Sequence, residues 1–303
     1  MNRRKFIKTG AAGGAALGLT GINLASCAGL SRRQITILHT NDVHSHVDPF
    51  PPGHGAFPNM GGAARRAGLI AEIRRENPNT LLLDAGDIFQ GTPYFNFYGG
   101  ELEFRLMSRM DYQAATLGNH DFDNGIPGLL AQLPYASFEF VSANYDFTNT
   151  DLNGLVAPYT IRVVDGVRIG IFGLGIELDG LVMPDLYGET LYQDPYERAL
   201  DMSRTLREEE ACHLVICLSH LGFRYDDPSR PSDVLLAQKT EGIDLIIGGH
   251  THTFLEESRV LSNRAGDPVL VNQVGCYGVR LGRVDFFLEP GAPPAGSGVS
   301  ITV

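Results

Sequence analysis

Short apolar runs, each too short for a helix and each closed by a polar residue, constrain this 303-residue chain more than any other feature. The clearest are "TLLLDAGD" from Thr80, "HLVICLSH" from His213 and "IDLIIGGH" from Ile243. Runs of that length with no alternating polar face read as strands covered on both sides. "QITILHT", "QAATLGNH", "PVLVNQVG" and "RLGRVDFFLE" add further strands, and "YTIRVVDGVRIGIFGLG" reads as two strands around an Asp165-Gly166 turn. Helical patterns lie between them. "GGAARRAGLIAEIRREN" places Leu69, Ile70 and Ile73 on one face, and "ELEFRLMSRM" is a second helix. "DPYERALDMSRTLREEE" opens with Asp194 as N-cap, Pro195 at N1 and Glu197 at N3. Strands alternating with helices predict a layered α/β architecture.

The first residues read differently. Arg3 and Arg4 before Phe6, Ile7 and Lys8 form a twin-arginine export pattern. The apolar stretch that follows is short and rich in glycine and alanine, unlike a membrane span. It ends in "LASC", which resembles the lipobox of bacterial lipoproteins, with Cys27 as the residue to be acylated; the bland alternative is a chance cysteine near a cleavage site. The expected division is a signal and lipobox over 1–27, a short linker over 28–34, one catalytic domain over 35–289, and a Pro/Gly-rich tail over 290–303. A lipid on Cys27 would anchor the protein to a membrane without spanning it.

Net charge is −11, and the leader carries four of the basic residues and no acid, so the body is more acidic still. Such a surface disfavours nucleic-acid polymers and anionic membranes. Of the four cysteines, Cys212, Cys217 and Cys276 remain beyond Cys27; an odd number excludes a complete disulfide framework.

Polar residues recur where the strands end. The first closes in "NDVHSH" with Asp42 and His44, the second in "GD" at Asp87, the third in "GNHDFD" with Asn119, His120 and Asp123. A later strand closes at His220, and the next in "GGHTH" with His250 and His252. Singly, each has an ordinary explanation: a turn aspartate, a solvated loop histidine, an asparagine in a left-handed turn, a core histidine on a backbone carbonyl. Jointly they place nitrogen and oxygen ligands from five strands at one carboxyl rim, where ligand sites of α/β sheets gather. Gly86, Gly118 and Gly249 beside them leave room for ligands to crowd. The pattern predicts a metal centre.

The blocks "ILHTNDVHSH", "DAGDIFQGTP" and "LGNHDFDNG", followed in order by "SH" and "GGHTH", resemble the calcineurin-like metallophosphoesterases, and within them the 5′-nucleotidase and UDP-sugar hydrolase family. The resemblance covers about residues 34 to 288. It implies a four-layer α/β/β/α sandwich of mixed sheets with a dinuclear site at the strand C-terminal ends. It also implies that Asp42, His44, Asp87 and His252 hold one metal, and that Asp87, Asn119, His220 and His250 hold the other. His120, fixed by Asp123, would assist the leaving oxygen as a general acid. Some members carry glutamine in place of His252. Mixed His, Asp and Asn donors suit manganese, zinc, iron or cobalt. Two such ions about 3.5–4 Å apart clamp a phosphoryl group for in-line attack and attract it despite the acidic surface.

The activity so implied is hydrolysis of nucleotide phosphate esters. Alternatives are cyclic phosphodiester or broad ester hydrolysis, or a metal-bearing subunit with little turnover. Members usually carry a further C-terminal domain that stacks the base, so a separate chain supplying that function is an expected partner. "YFNFY", Tyr94 to Tyr98, either lines the pocket or packs a helix.

Overall fold

The computed structural model describes residues 33–289 and 291–303. The twin-arginine pair, Cys27 and most of the expected 28–34 linker lie outside the described residues; Arg33 and Gln34 already belong to the first strand.

Fourteen strands are described, in chain order: β1 (Arg33–Thr40), β2 (Thr80–Asp84), β3 (Ala114–Ala115), β4 (Glu139–Phe140), β5 (Tyr145–Asp146), β6 (Tyr159–Val164), β7 (Val167–Leu174), β8 (Leu191–Tyr192), β9 (Leu214–Ser219), β10 (Leu245–Gly248), β11 (Arg259–Ser262), β12 (Pro268–Asn272), β13 (Arg280–Leu288) and β14 (Ala295–Thr302). The helices are α1 (Ala63–Glu76), α2 (Pro93–Tyr98), α3 (Glu101–Arg109), α4 (Gly125–Gln132), α5 (Pro184–Tyr187), α6 (Pro195–Arg204) and α7 (Asp233–Lys239). One six-stranded sheet has the order β14-β13-β1-β2-β3-β4, the other β11-β12-β10-β9-β7-β6. Both are mixed: β1 runs parallel to β2 and antiparallel to β13, and β9 parallel to β7 and β10 while β6 is antiparallel to β7.

Side-chain alternation explains the layers. Ile35 and Ile37 of β1, Leu81 and Leu83 of β2, and Leu214, Ile216 and Leu218 of β9 all enter one core between the sheets. The intervening Leu38 and Leu82 pack outward against α1 and α3 through Ile70, Ile73, Phe104 and Met107. Val215 and Cys217 pack outward on the other side against Ala199 and Met202 of α6 and Leu236 of α7. Helix, sheet, sheet and helix therefore stack as the expected four-layer sandwich, and unbroken apolar runs follow from burying both faces of each strand. Asp194 caps α6, accepting from the backbone N–H of Tyr196 and Glu197 at 2.8 and 3.0 Å. That helix stops being α-helical at Arg204 and continues as a π-helical turn over Thr205–Glu209.

Two expectations need correction. The Pro/Gly-rich tail expected outside the domain is mostly part of its sheet: residues 295–302 form β14, paired antiparallel to β13 from Phe287↔Ala295 to Arg280↔Thr302. Its glycines serve close approach. A Cβ on Gly296 would lie 2.7 Å from Leu270 and Phe286, and one on Gly298 2.2 Å from Ser258 Oγ. The other correction is β3, which contributes only Ala114 and Ala115 to the ladder. Past Thr116 the backbone leaves the sheet, and Gly118 N–H donates to the Asp121 carboxylate at 2.8 Å instead of to a neighbouring strand.

Candidate metal centre

The expected ligands converge at the carboxyl ends of β1, β2, β3, β9 and β10. Asp42, His44 and His252 present donor atoms within 4.8 Å of one another, and so do Asp87, His220 and His250. The two histidines of "GGHTH" thus fall in different clusters. Thr251 between them turns away, its hydroxyl accepting from Phe223 N–H at 2.9 Å. Asp87 faces both groups, with Oδ2 3.1 Å from His220 Nε2 and 3.8 Å from His44 Nε2. Asn119 Oδ1 lies 2.9 Å from His250 Nδ1.

The chemistry of the donors fits cations. His220 is fully buried; its Nδ1–H donates to Ala85 O at 2.7 Å, and Nε2, left without a hydrogen-bond partner, points at the carboxylates. His44 repeats the device, with Nδ1–H donating to Phe89 O at 3.1 Å and Nε2 3.1 Å from His252 Nε2. A backbone carbonyl that fixes one ring nitrogen as donor leaves the other as a ligand. Donors about 2.1 Å from a shared tetrahedral ion sit roughly 3.4 Å apart, and donor pairs within the clusters lie between 2.9 and 3.5 Å. Burial opposes charge on His220, yet Asp87 and then Asp42 raise its pKa to about 10, and a cation at Nε2 would take the place of that proton. Hydrogen bonding to Asp42 and Cys276 holds His252 up to about 10 as well. The buried carboxylates make a strong negative potential that an ion would neutralise.

The backbone beneath is strained. Asp42, His44, Asp87, His250 and His252 all have φ between 49° and 69°, the left-handed region. Such residues cost about 1 kcal/mol or more each and need surrounding structure to hold them. Asp42 N–H donates to Gly86 O at 2.9 Å, His44 N–H to Asp87 O at 3.1 Å, and His250 N–H to Asp42 Oδ1 at 2.9 Å. Asn119, in contrast to the left-handed turn considered for it, is right-handed, with φ −68°. Gly118 is required by close approach, since a Cβ there would stand 2.2 Å from Asp87 Oδ1.

His120 lies at the edge of the clusters, its ring 5.2 Å from that of His44. Its Nδ1 is 2.9 Å from Asp123 Oδ2, which leaves Nε2 free, and that hydrogen bond, against partial burial and helped by Asp87, raises its pKa.

Some supporting residues were not anticipated. Asp121, between His120 and Asp123, accepts from the N–H groups of Asp87, Ile88, Phe89 and Gly118 at 2.8–3.2 Å. It ties the second and third ligand loops together. Asn41 Nδ2 donates to Asp42 Oδ2 at 2.6 Å, and Gln273 Nε2 to Gly249 O at 2.6 Å. The signal for Asp121 was present in the density of acids in "GNHDFD"; Asn41 and Gln273 carried none.

The fold and the two facing clusters define an α/β protein with a candidate dinuclear metal centre at the strand ends. The chain belongs to the calcineurin-like phosphoesterase family, whose sequence profile matches residues 35–254. It is 35% identical over 283 residues to the trifunctional nucleotide phosphoesterase protein YfkN of Bacillus subtilis, covering 83% of this chain and 18% of that one. It is 38% identical over 241 residues to a snake venom 5′-nucleotidase of Crotalus adamanteus, covering 76% and 39%. Among solved structures it superposes on the 5′-nucleotidase precursor of Thermus thermophilus with a TM-score of 0.79 and 34% identity, over 89% of this chain and 55% of that one. The chain spans less than half the length of these two curated relatives.

Proposed function

We propose that this chain is a metal-dependent phosphoesterase of 5′-nucleotidase type, hydrolysing phosphate esters of nucleotides. The observation that carries this reading is the pair of cation-seeking clusters with the Asp87 carboxylate facing both. Asp42, His44 and His252 would hold one ion, His220, His250 and Asn119 the other, and Asp87 would bridge. Two divalent ions there would neutralise a phosphate and activate water. The protein's own contributions are distinct. Ala85 and Phe89 carbonyls fix the ligating faces of His220 and His44. Asp123 orients His120 and stabilises its protonated form, so that Nε2 can deliver a proton to the departing ester oxygen. Activity on nucleoside monophosphates with added manganese, zinc, iron or cobalt tests the reading. Asp87→Ala is expected to abolish turnover and deplete both ions by metal analysis; retention of two ions per chain would overturn the bridging role.

We further propose export by the twin-arginine route and anchoring through an acylated Cys27, supported by the Arg3-Arg4 pair and the "LASC" block. No described helix is long and apolar enough to cross a membrane. Cys27→Ser is expected to move the protein from the membrane to the soluble fraction; identical fractionation of variant and wild type would exclude the anchor. A separate chain serving as a substrate-binding domain is a proposed partner, and its addition is expected to lower KM for nucleotides.

A further inference from the structure

One buried carboxyl close to the centre belongs to neither metal cluster. Asp233, the first residue of α7, is 0% exposed and is not among the clustered donors. Its Oδ1 accepts from Ser219 Oγ at 2.5 Å. Its Oδ2 has no hydrogen-bond partner and presses on Gly248, where a Cβ would stand only 2.1 Å away. The two residues it touches are register partners on adjacent parallel strands, Ser219 at the end of β9 and Gly248 at the end of β10. Ser219 immediately precedes His220, and Gly248 stands two residues before His250. One side chain thus meets both strands where they release the two histidines of the second cluster.

Asp233 is itself held firmly. Its N–H donates to Gly222 O at 2.8 Å, and Val234 N–H donates to Phe223 O at 3.2 Å, which ties the start of α7 to the loop after His220. Ser232 caps the helix, accepting from Leu235 N–H at 3.4 Å. Beside Gly248, Gln273 Nε2 donates to Gly249 O at 2.6 Å, and Gln273 Oε1 accepts from Thr251 Oγ1 at 3.0 Å. Thr251 Oγ1 in turn accepts from Phe223 N–H at 2.9 Å. These bonds join the His220 turn, the "GGHTH" turn and the start of α7. A buried polar network of this kind rigidifies what it connects. Burial drives the Asp233 carboxyl toward its neutral form, raising its pKa to about 8 against the pull of the Ser219 bond and of His220.

We infer that Asp233 is a positioning residue for the second metal cluster: it fixes the ends of β9 and β10 so that His220 and His250 meet at one ion. The inference rests on the two-metal reading above. Groups that orient the ligands of a metal without touching the ion change its affinity by roughly 10–100-fold when removed.

The test titrates manganese into metal-stripped wild type, Asp233→Ala, Asp233→Asn and Ser219→Ala. Bound ions are followed by electron paramagnetic resonance, which distinguishes a spin-coupled pair from a lone ion. Asp233→Ala is expected to weaken the second ion by roughly 10–100-fold, so that a lone ion is seen at concentrations that fill the pair in wild type. Ser219→Ala breaks the same bond from its other end and is expected to reproduce the loss. The Ser219→Ala/Asp233→Ala double variant is expected to lose no more than Asp233→Ala alone. Asp233→Asn is neutral, has the same shape and keeps the acceptor for Ser219, so it is expected to bind both ions as wild type does. Wild-type affinity for both ions in Asp233→Ala, even with a lower Tm, overturns the inference. So does an Asp233→Asn variant as weak as Asp233→Ala. Should Asp233→Ala fail to fold, Ser219→Ala decides, and wild-type affinity there overturns the inference. Wild type that binds a single ion overturns the dinuclear reading instead, and the affinity of that ion in the variants still decides the role of Asp233. Wild type that binds none overturns both.

Discussion

His120 shows what a single residue contributes once its surroundings are fixed. Its imidazole is held by Asp123 at one nitrogen and open at the other, and it touches His44 without joining either metal cluster. His120→Ala is expected to lower kcat by roughly 10²–10⁴ while leaving metal content near that of wild type. The loss is expected to shrink for esters of acidic alcohols, which leave without help; equal losses across leaving groups of widely different pKa would rule out proton delivery. The residue types were legible in the sequence because "NDVHSH", "GNHDFD" and "GGHTH" concentrate donors at strand ends. Their backbone state was not. Nothing in the letters of Asp42, His44, Asp87, His250 or His252 announces a left-handed conformation; the backbones of Asp42, His44, Asp87 and His250 are held there by hydrogen bonds to other loops.

At the scale of the element, the sequence was most informative where both faces of a strand are buried. β9 and β10 stand where "HLVICLSH" and "IDLIIGGH" placed them, because continuous apolar runs have one stable home in this architecture. It was least informative at β14. "APPAGSGVS" has the composition of a linker, yet its glycines make room for Phe286, Leu270 and Ser258, which press on the strand from outside the stretch. Gly298→Val is expected to destabilise the fold by about 1–3 kcal/mol through this overpacking, read as a lower urea midpoint with unchanged slope. A midpoint equal to wild type would mean that β14 detaches at little cost. The run "YFNFY" divides between the two roles considered for it, burying Phe95 in the core while Phe97 is 82% exposed.

Across the whole molecule, the centre joins the two halves of the sandwich. Asp42 and His44 follow a strand of one sheet and His252 a strand of the other; Asp87 and His220 are divided in the same way. Ions bound there stabilise only the assembled pair of sheets. Chelation is therefore expected to lower Tm, and restoring metal at 100 times its Kd to recover about 2.7 kcal/mol. A Tm indifferent to chelator in protein shown to have lost its metal would mean that the sheets hold the site without assistance. The ligands of either cluster are also far apart in the chain, from Asp42 to His252 in one and from Asp87 to His250 in the other. No shorter stretch contains a whole cluster, so a nascent or truncated chain offers an ion only part of a ligand set. Metal uptake would thereby become a certificate of completed folding: a molecule that retained both ions would have brought together, in each cluster, segments more than about 160 residues apart.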